Sequence, residues 1–323
     1  MDINQIQKVV EQEMAAVNAV IEQHLQSDIE LINEIGRYII GGGGKRLRPM
    51  LLILAAKACG GANQSHIAAA AIIEFIHTAT LLHDDVIDMS AMRRGRETAN
   101  NIWGDQEAVL VGDFLYSRAF QMMVEIGDMR IMRILADATN TIAEGEVLQL
   151  VNQKSIDVTV GGCLEVIQRK TAKLFEASGE LGVLLSGSSQ EIQQGMADYG
   201  KHLGIAFQLI DDVLDYSADE KQLGKQIGDD IAEGKVTLPL LYAMEEIDSQ
   251  RREKIIQAIE FKGDGVDIAA VAAIVQDTSA LTRTKQLAQR HISQAKKSIK
   301  CLEKTQASEM LHLVADFALV RSK

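Results

Sequence analysis

Proline is almost missing from this sequence: only Pro49 and Pro239 occur in 323 residues. A proline inside a helix removes a hydrogen-bond donor and clashes with the preceding turn. Its scarcity leaves room for long, uninterrupted helices. Cysteine is nearly as scarce. Cys59, Cys163 and Cys301 stand far apart and form no C-x-x-C pair. That spacing excludes a disulfide scaffold and a cysteine-built zinc site, and it leads to the expectation of a reducing, cytoplasmic compartment. The first residues, MDINQIQKVVEQEM, lack the basic-then-apolar order of a secretory signal. Apolar runs such as IAAAAII at 67–73 are too short to span a bilayer, so no transmembrane segment is expected. Positive charge is in deficit, with 33 Lys and Arg against 45 Asp and Glu and a formal net charge of −12. Such a balance excludes nucleic acid or an anionic membrane as a general partner. Any bound anion must be held by a local basic cluster or by metal ions.

What the sequence does contain is apolar residues at helical spacing. Hydrophobic residues make up 47% and charged residues 24% of the chain, enough for a sizeable core and against disorder. Ile6, Val10, Met14, Val17, Ile21 and Leu25 recur at steps of three and four. GGGG at 41–44 breaks the pattern, and a new apolar helix is expected to start near Pro49. Long helices are expected over 66–88, 107–125, 130–151, 163–185 and 191–216. Alternating strand patterns are scarce, and neither a repeat nor a low-complexity linker divides residues 1–323. The expectation is an all-α chain; its length permits two domains, and one large helical domain is equally admissible.

One echo stands out: LLHDDVID at 81–88 and QLIDDVLD at 208–215. At about 100° per residue, Asp84 and Asp88 lie roughly 40° apart on one helix face, with Asp85 flanking them. Asp211, Asp215 and Asp212 repeat that arithmetic. Solvated surface acids would explain one such motif, but two explain themselves poorly that way. Like charges at i,i+4 repel, and both motifs are embedded in Leu, Ile and Val. Carboxylates gathered at the edge of a core need cations. Hard divalent ions with oxygen ligands fit best, and among them Mg²⁺ usually shares its shell with substrate phosphates.

Basic residues answer the acids. Arg93 and Arg94 follow the first motif, continuing what reads as one face of the same helix, and suit bidentate anion binding. GGGGKRLRP offers backbone N–H groups with Lys45 and Arg48, yet lacks the pattern of a Walker loop. A basic loop that merely caps helices explains this cluster equally well. His77 stands two turns before Asp84 on nearly the same face; a lone helical histidine is more often core than ligand, but this alignment favours a ligand. Lys170 and Thr171 lie in KTAKLF, Gln208 precedes Asp211 by three residues, and Lys225 and Lys235 lie in GKQIGDDIAEGK.

In order and spacing, GGGGKRLRP, LLHDDVIDMSAMRRGR, GDFLYSRAF, KTAKLF, FQLIDDVLD and GKQIGDDIAEGK resemble the trans-isoprenyl diphosphate synthases over nearly the whole chain. The bacterial long-chain members are nearest in look; Val236 departs from the proline that they often carry after the lysine. The resemblance implies the isoprenoid synthase fold, a single-domain helical bundle around a deep cavity, and a cytoplasmic homodimer. It implies a Mg²⁺-dependent prenyltransferase that condenses isopentenyl diphosphate onto an allylic diphosphate such as farnesyl diphosphate. An octaprenyl product for isoprenoid quinones such as ubiquinone is expected. By the same resemblance, Asp84, Asp88 and Asp211 hold Mg²⁺, supported by Asp85, Asp212 and Asp215. Arg93, Lys170, Thr171, Gln208, Lys225 and Lys235 hold the allylic diphosphate. Lys45, Arg48, His77 and Arg94 hold isopentenyl diphosphate. The small Ala79 and Thr80, upstream of Asp84, keep the product tunnel open, and Met123 is a candidate floor whose alternative is ordinary core packing. Rival readings are a terpene cyclase and a non-catalytic subunit of a heteromeric synthase.

Overall fold

The computed structural model describes residues 3–153, 155, 157–217, 228–261, 263 and 265–320. Helices account for most of them. In order they are α1 (Ile3–Val9), α2 (Glu11–Leu25), α3 (Glu30–Ile40), α4 (Leu47–Ala58), α5 (Gln64–Ile87), α6 (Ala99–Trp103), α7 (Asp105–Ile126) and α8 (Met129–Asn152). There follow α9 (Val160–Ile167), a π-helical turn (Gln168–Ala172), α10 (Lys173–Leu184) and α11 (Gln190–Ser217). The rest is α12 (Asp229–Ala232), α13 (Leu238–Glu246), α14 (Ser249–Glu260), α15 (Ile268–Gln276), α16 (Ala280–Ser298) and α17 (Gln306–Val320). The only described strands are a two-residue pair, β1 (Met92–Arg93) and β2 (Arg96–Glu97).

The chain divides into two compact units. One comprises residues 1–139, 174–200 and 298–314; the other comprises 140–173, 201–297 and 315–323. In the first, α4 is buried on every side from Pro49 to Ala56, as a helix apolar all round must be. Pro49 sits in its first turn, where its missing N–H is no loss. α5 runs about 36 Å at 1.5 Å per residue. Its start is set by a reciprocal cap: the Asn63 side chain accepts from Ser65 N and His66 N, while His66 Nδ1 accepts from Asn63 N. The other His66 nitrogen donates to the Gly182 carbonyl. α5 alone is long and apolar enough to cross a bilayer among the described residues, and 61% of its most apolar window is buried within the protein. It is the core helix of its unit.

Two expected helices are interrupted. The N-terminal pattern breaks at Val10, between α1 and α2. The helix expected over 163–185 contains the π-helical turn, which inserts an extra residue per turn and rotates the side chains that follow. Apolar periodicity does not reveal the π-helical turn, because it falls in the polar stretch QRKT, where no apolar spacing marks the shift in register.

In the second unit, His202 and His291 bring their Nδ1 atoms to 2.9 Å. Burial first, then the charges of His202 and Lys201, push His291 down from 6.5 to about 4. The unfolded chain then binds more protons than the folded one between those values, so stability falls as pH drops from about 6.5 towards 4. Urea midpoints at pH 7.5, 5.5 and 4.5 check this. His291→Asn, which keeps a nitrogen near the Nδ1 position, is expected to show a shallower acid loss than the parent.

Candidate active site

In the first unit, the last turn of α5 carries the first acid motif. Asp88 closes the helix, its N–H bonded to Asp84 O at 2.8 Å, so the two residues remain one turn apart as the spacing requires. Both side chains are partly exposed. Asp85 is different: it is 1% exposed, and Arg93 grips its Oδ1 through Nε at 2.8 Å and Nη2 at 2.7 Å. Burial raises the Asp85 pKa; Arg93 opposes that rise.

Arg93 and Arg94 do not continue α5, contrary to the expectation of one helix face for acids and bases. The helix ends at Ile87, and the arginines belong to the hairpin β1–β2, where Arg93 pairs with Arg96. Arg94 and Gly95 form its two-residue turn with φ of 53° and 73°, the left-handed pair that a tight hairpin turn requires. Ser90 N bonds Asp85 O at 2.9 Å, and Thr98 Oγ1 bonds Ser90 O at 2.6 Å, so the hairpin is tied back to α5. Arg94 Nη1 donates to the Gly43 carbonyl. The turn therefore reaches the glycine loop, whose Gly43 and Gly44 have φ of 79° and 157°.

α4 supplies the next group. Arg48 Nη1 lies 3.2 Å from His77 Nε2, and its guanidinium covers the Phe175 ring at 4.4 Å. A guanidinium only donates, so Nε2 accepts and His77 carries its proton on Nδ1. Burial, then Arg48, Arg94 and Arg93, hold its pKa well below the ordinary value. His77 is thus a neutral ring within a field of arginines. Lys45 lies exposed on the glycine loop. Sequence reasoning passed over Glu74: Arg46 lies 3.2 Å from it, burial raises its pKa, and Arg46, Arg48 and Arg94 offset that rise. It is an acid one turn before His77 in a basic neighbourhood, and that adjacency was the available signal. Ala79 is fully buried on α5, Met123 is 1% exposed on α7, and Thr80 bonds the His77 carbonyl at 2.8 Å.

The second unit holds the other acid motif. Asp211 is partly exposed, whereas Asp212 and Asp215 are 3% and 6% exposed. A relay anchors Asp212: Thr171 Oγ1 donates to Gln208 Oε1 at 3.0 Å, and Gln208 Nε2 donates to Asp212 Oδ1 at 2.9 Å. Burial and then Asp230 push the Asp212 pKa well up. Asp230 went unremarked in GKQIGDDIAEGK; its N–H bonds Asp215 Oδ2 at 3.3 Å. Lys170 Nζ bonds Glu146 Oε2 at 2.6 Å. Both Lys170 and Thr171 lie in the π-helical turn, which packs on Gly145 so closely that a Cβ there would stand 2.9 Å from Lys170 N. Lys235 pairs with Glu233 at 2.5 Å. Lys225 lies outside the described residues.

These groups fit a hard divalent cation. Every candidate ligand is a carboxylate oxygen, and buried Asp85 Oδ2 has no hydrogen-bond partner among the described residues. No three acids, imidazoles or thiols are gathered as a ready cage among the described residues. Mg²⁺ suits such a site, since it keeps several waters and borrows phosphate oxygens.

A family model described as Polyprenyl synthetase matches residues 29–278. The chain is 47% identical to the octaprenyl diphosphate synthase of Escherichia coli strain K12 over the full length of both. It is 41% identical to the geranyl-diphosphate-specific all-trans-nonaprenyl-diphosphate synthase of Rhodobacter capsulatus, over 97% of this chain and 96% of that one. Among solved structures it is similar to a polyprenyl synthase of Caulobacter crescentus CB15 complexed with calcium and isoprenyl diphosphate. There the TM-score is 0.95 and the identity 41%, over 99% of this chain and 98% of the other. These likenesses bear out the all-helical isoprenoid synthase fold, and the chain belongs to the polyprenyl synthetase family.

Proposed function

We propose that this chain, a long-chain trans-polyprenyl diphosphate synthase and hence a prenyltransferase, adds isopentenyl diphosphate units head-to-tail onto an allylic diphosphate. We propose farnesyl diphosphate as primer and an octaprenyl product for a quinone side chain. The observation that carries the reading is the shared build of the two acid motifs. In each, the second aspartate is buried and anchored (Asp85 by Arg93, Asp212 by Gln208) while the first, Asp84 or Asp211, is partly exposed. That division suits Asp84, Asp88 and Asp211 as metal ligands, with Asp85, Asp212 and Asp215 supporting them.

Mg²⁺ held by those carboxylates supplies charge neutralisation for the pyrophosphate that leaves the allylic carbon. The chain's own residues do the remaining work. Lys170, Thr171 and Gln208, with Lys225 and Lys235, hold the allylic diphosphate and stabilise charge developing on the leaving oxygen. Lys45, Arg48 and Arg94 hold isopentenyl diphosphate so that its double bond meets the allylic cation in an oriented, dry site. His77 keeps Arg48 in place. Its Nε2 is committed to that arginine, so it is a poor acceptor for the final proton, and the departing pyrophosphate takes that role in this reading.

All three cysteines are thiols, which suits a cytoplasmic protein. A homodimer is supported by a stripe on α7: Leu110, Phe120 and Val124 are 66%, 40% and 65% exposed and span about 80° of the helix surface. A second copy is proposed to cover it.

Incubation with Mg²⁺, farnesyl diphosphate and labelled isopentenyl diphosphate tests the function. Long prenyl alcohols after phosphatase treatment are expected. Cyclic hydrocarbons would instead mean a cyclase, and no turnover a non-catalytic subunit.

Arg93 and Arg94 separate the two substrates. Arg93→Ala strips buried Asp85 of its guanidinium, so it is expected to raise KM for the allylic substrate more than for isopentenyl diphosphate. Arg94→Ala, beside the glycine loop, does the reverse. Loss of a charged hydrogen bond predicts about tenfold or more in each affected constant. Equal effects of both mutations on both constants would remove the distinction.

A further inference from the structure

Beyond the acids and bases, α5 packs extensively against α7, and the histidine that immediately precedes Asp84 lies in that contact. A Cβ built on Gly112 would stand 2.3 Å from His83 Nε2 and 2.6 Å from Cδ2, so only glycine leaves room for the ring. Nε2 lies 3.2 Å from the Val109 carbonyl oxygen and 3.3 Å from Asp113 Oδ1. Both of those groups accept, so the hydrogen resides on Nε2 and the ring orientation is set. Its face lies parallel to Tyr116, with centroids 6.1 Å apart and planes 12° apart. Val109, Gly112, Asp113 and Tyr116 follow the i, i+3, i+4, i+7 spacing of one helix face. One stripe of α7 is thus shaped around a single α5 ring. A side chain that only filled space would need neither the two acceptors nor the glycine notch.

We propose that His83 is a positioning residue. By seating in the Gly112 notch it locks the last turn of α5 against α7 and holds Asp84 and Asp88 in place for the cation and the allylic diphosphate. The inference rests on the metal-binding reading of Asp84 above. The physical need is plain: α5 ends four residues after His83, and helix ends fray. Ligating carboxylates work best when neighbouring groups restrict their orientation.

Three variants of the full chain test the lock. His83→Leu fills the volume without a donor, His83→Gln retains an N–H near the Nε2 position, and Gly112→Ala closes the notch. Three quantities are measured: the thermal midpoint, Mn²⁺ bound in the presence of inorganic pyrophosphate (by electron paramagnetic resonance), and KM for each substrate. His83→Leu and Gly112→Ala are expected to weaken Mn²⁺ binding and raise the allylic KM about tenfold, leaving the isopentenyl KM nearly unchanged. His83→Gln is expected to restore both. The proposal is overturned if His83→Leu binds Mn²⁺ like the parent whatever its thermal midpoint, if both KM values rise together, or if His83→Gln is as impaired as His83→Leu. If the parent protein makes no prenyl product, the functional reading fails instead, and the Mn²⁺ measurements still judge the lock.

Discussion

Asp84→Ala and Asp211→Ala each lower kcat by about two to three orders of magnitude and leave the thermal midpoint within a few degrees of the parent. Both side chains are partly exposed and no part of the buried core, so truncation removes charge without opening a cavity. Their neighbours behave otherwise. Asp85→Ala leaves Arg93 without its buried acceptor, and Asp212→Ala leaves Gln208 Nε2 without one. Stranding a partner of a buried hydrogen bond costs about 1–3 kcal/mol, so these two variants lose stability as well as activity. Steady-state rates over a Mg²⁺ titration, together with thermal melts of all four, separate the classes. Near-parental turnover with an unchanged Mg²⁺ requirement in Asp84→Ala or Asp211→Ala would refute the metal assignment.

Ala79→Tyr shortens the main product to a farnesyl- or geranylgeranyl-sized chain. Ala79 lies five residues before Asp84, about 7.5 Å back along α5. A chain growing away from the metals meets a ring placed there within its first few isoprene units. Ala79 is fully buried, and overpacking a core costs about 1–3 kcal/mol, so the melt is measured alongside the product. The half-buried neighbour Thr80, about 6 Å from Asp84 along the axis, allows Thr80→Phe as a less disruptive second variant. Met123→Ala is the companion. Met123 lies about 15 Å beyond Asp113 along α7, and its loss is expected to lengthen the product. Chromatography of the dephosphorylated alcohols reads all three. Full-length product from a folded Ala79→Tyr protein would mean that the growing chain does not pass that position.

The acid motifs were legible because their signal is local. Four-residue spacing places Asp84 and Asp88 on one face in any α-helix, and nothing tertiary overrides it. Arg93 and Arg94 were misplaced for the opposite reason. Helical arithmetic was carried past Ile87, while RRG is the chemistry of a tight hairpin: Gly95 at φ 73° tolerates the left-handed turn that Arg94 enters at 53°. The π-helical turn under Lys170 and Thr171 was not legible, because it falls in the polar stretch QRKT, where no apolar spacing marks the shift in register. Its close approach to Gly145 likewise exists only in the folded chain.

By itself, the sequence determined the helical class, the two carboxylate motifs, the basic loop and the family resemblance. All of these follow from residue type and short-range spacing, which the chain carries wherever it folds. The tertiary structure alone decided which aspartate of each motif is buried and which partly exposed. It also decided that Arg93 serves Asp85, that His77 accepts from Arg48, that Asp230 crowds Asp212, and that His83 seats in α7. Those pairings join residues from different helices or across turns. Burial, desolvation and hydrogen-bond geometry exist only once packing has brought such residues together.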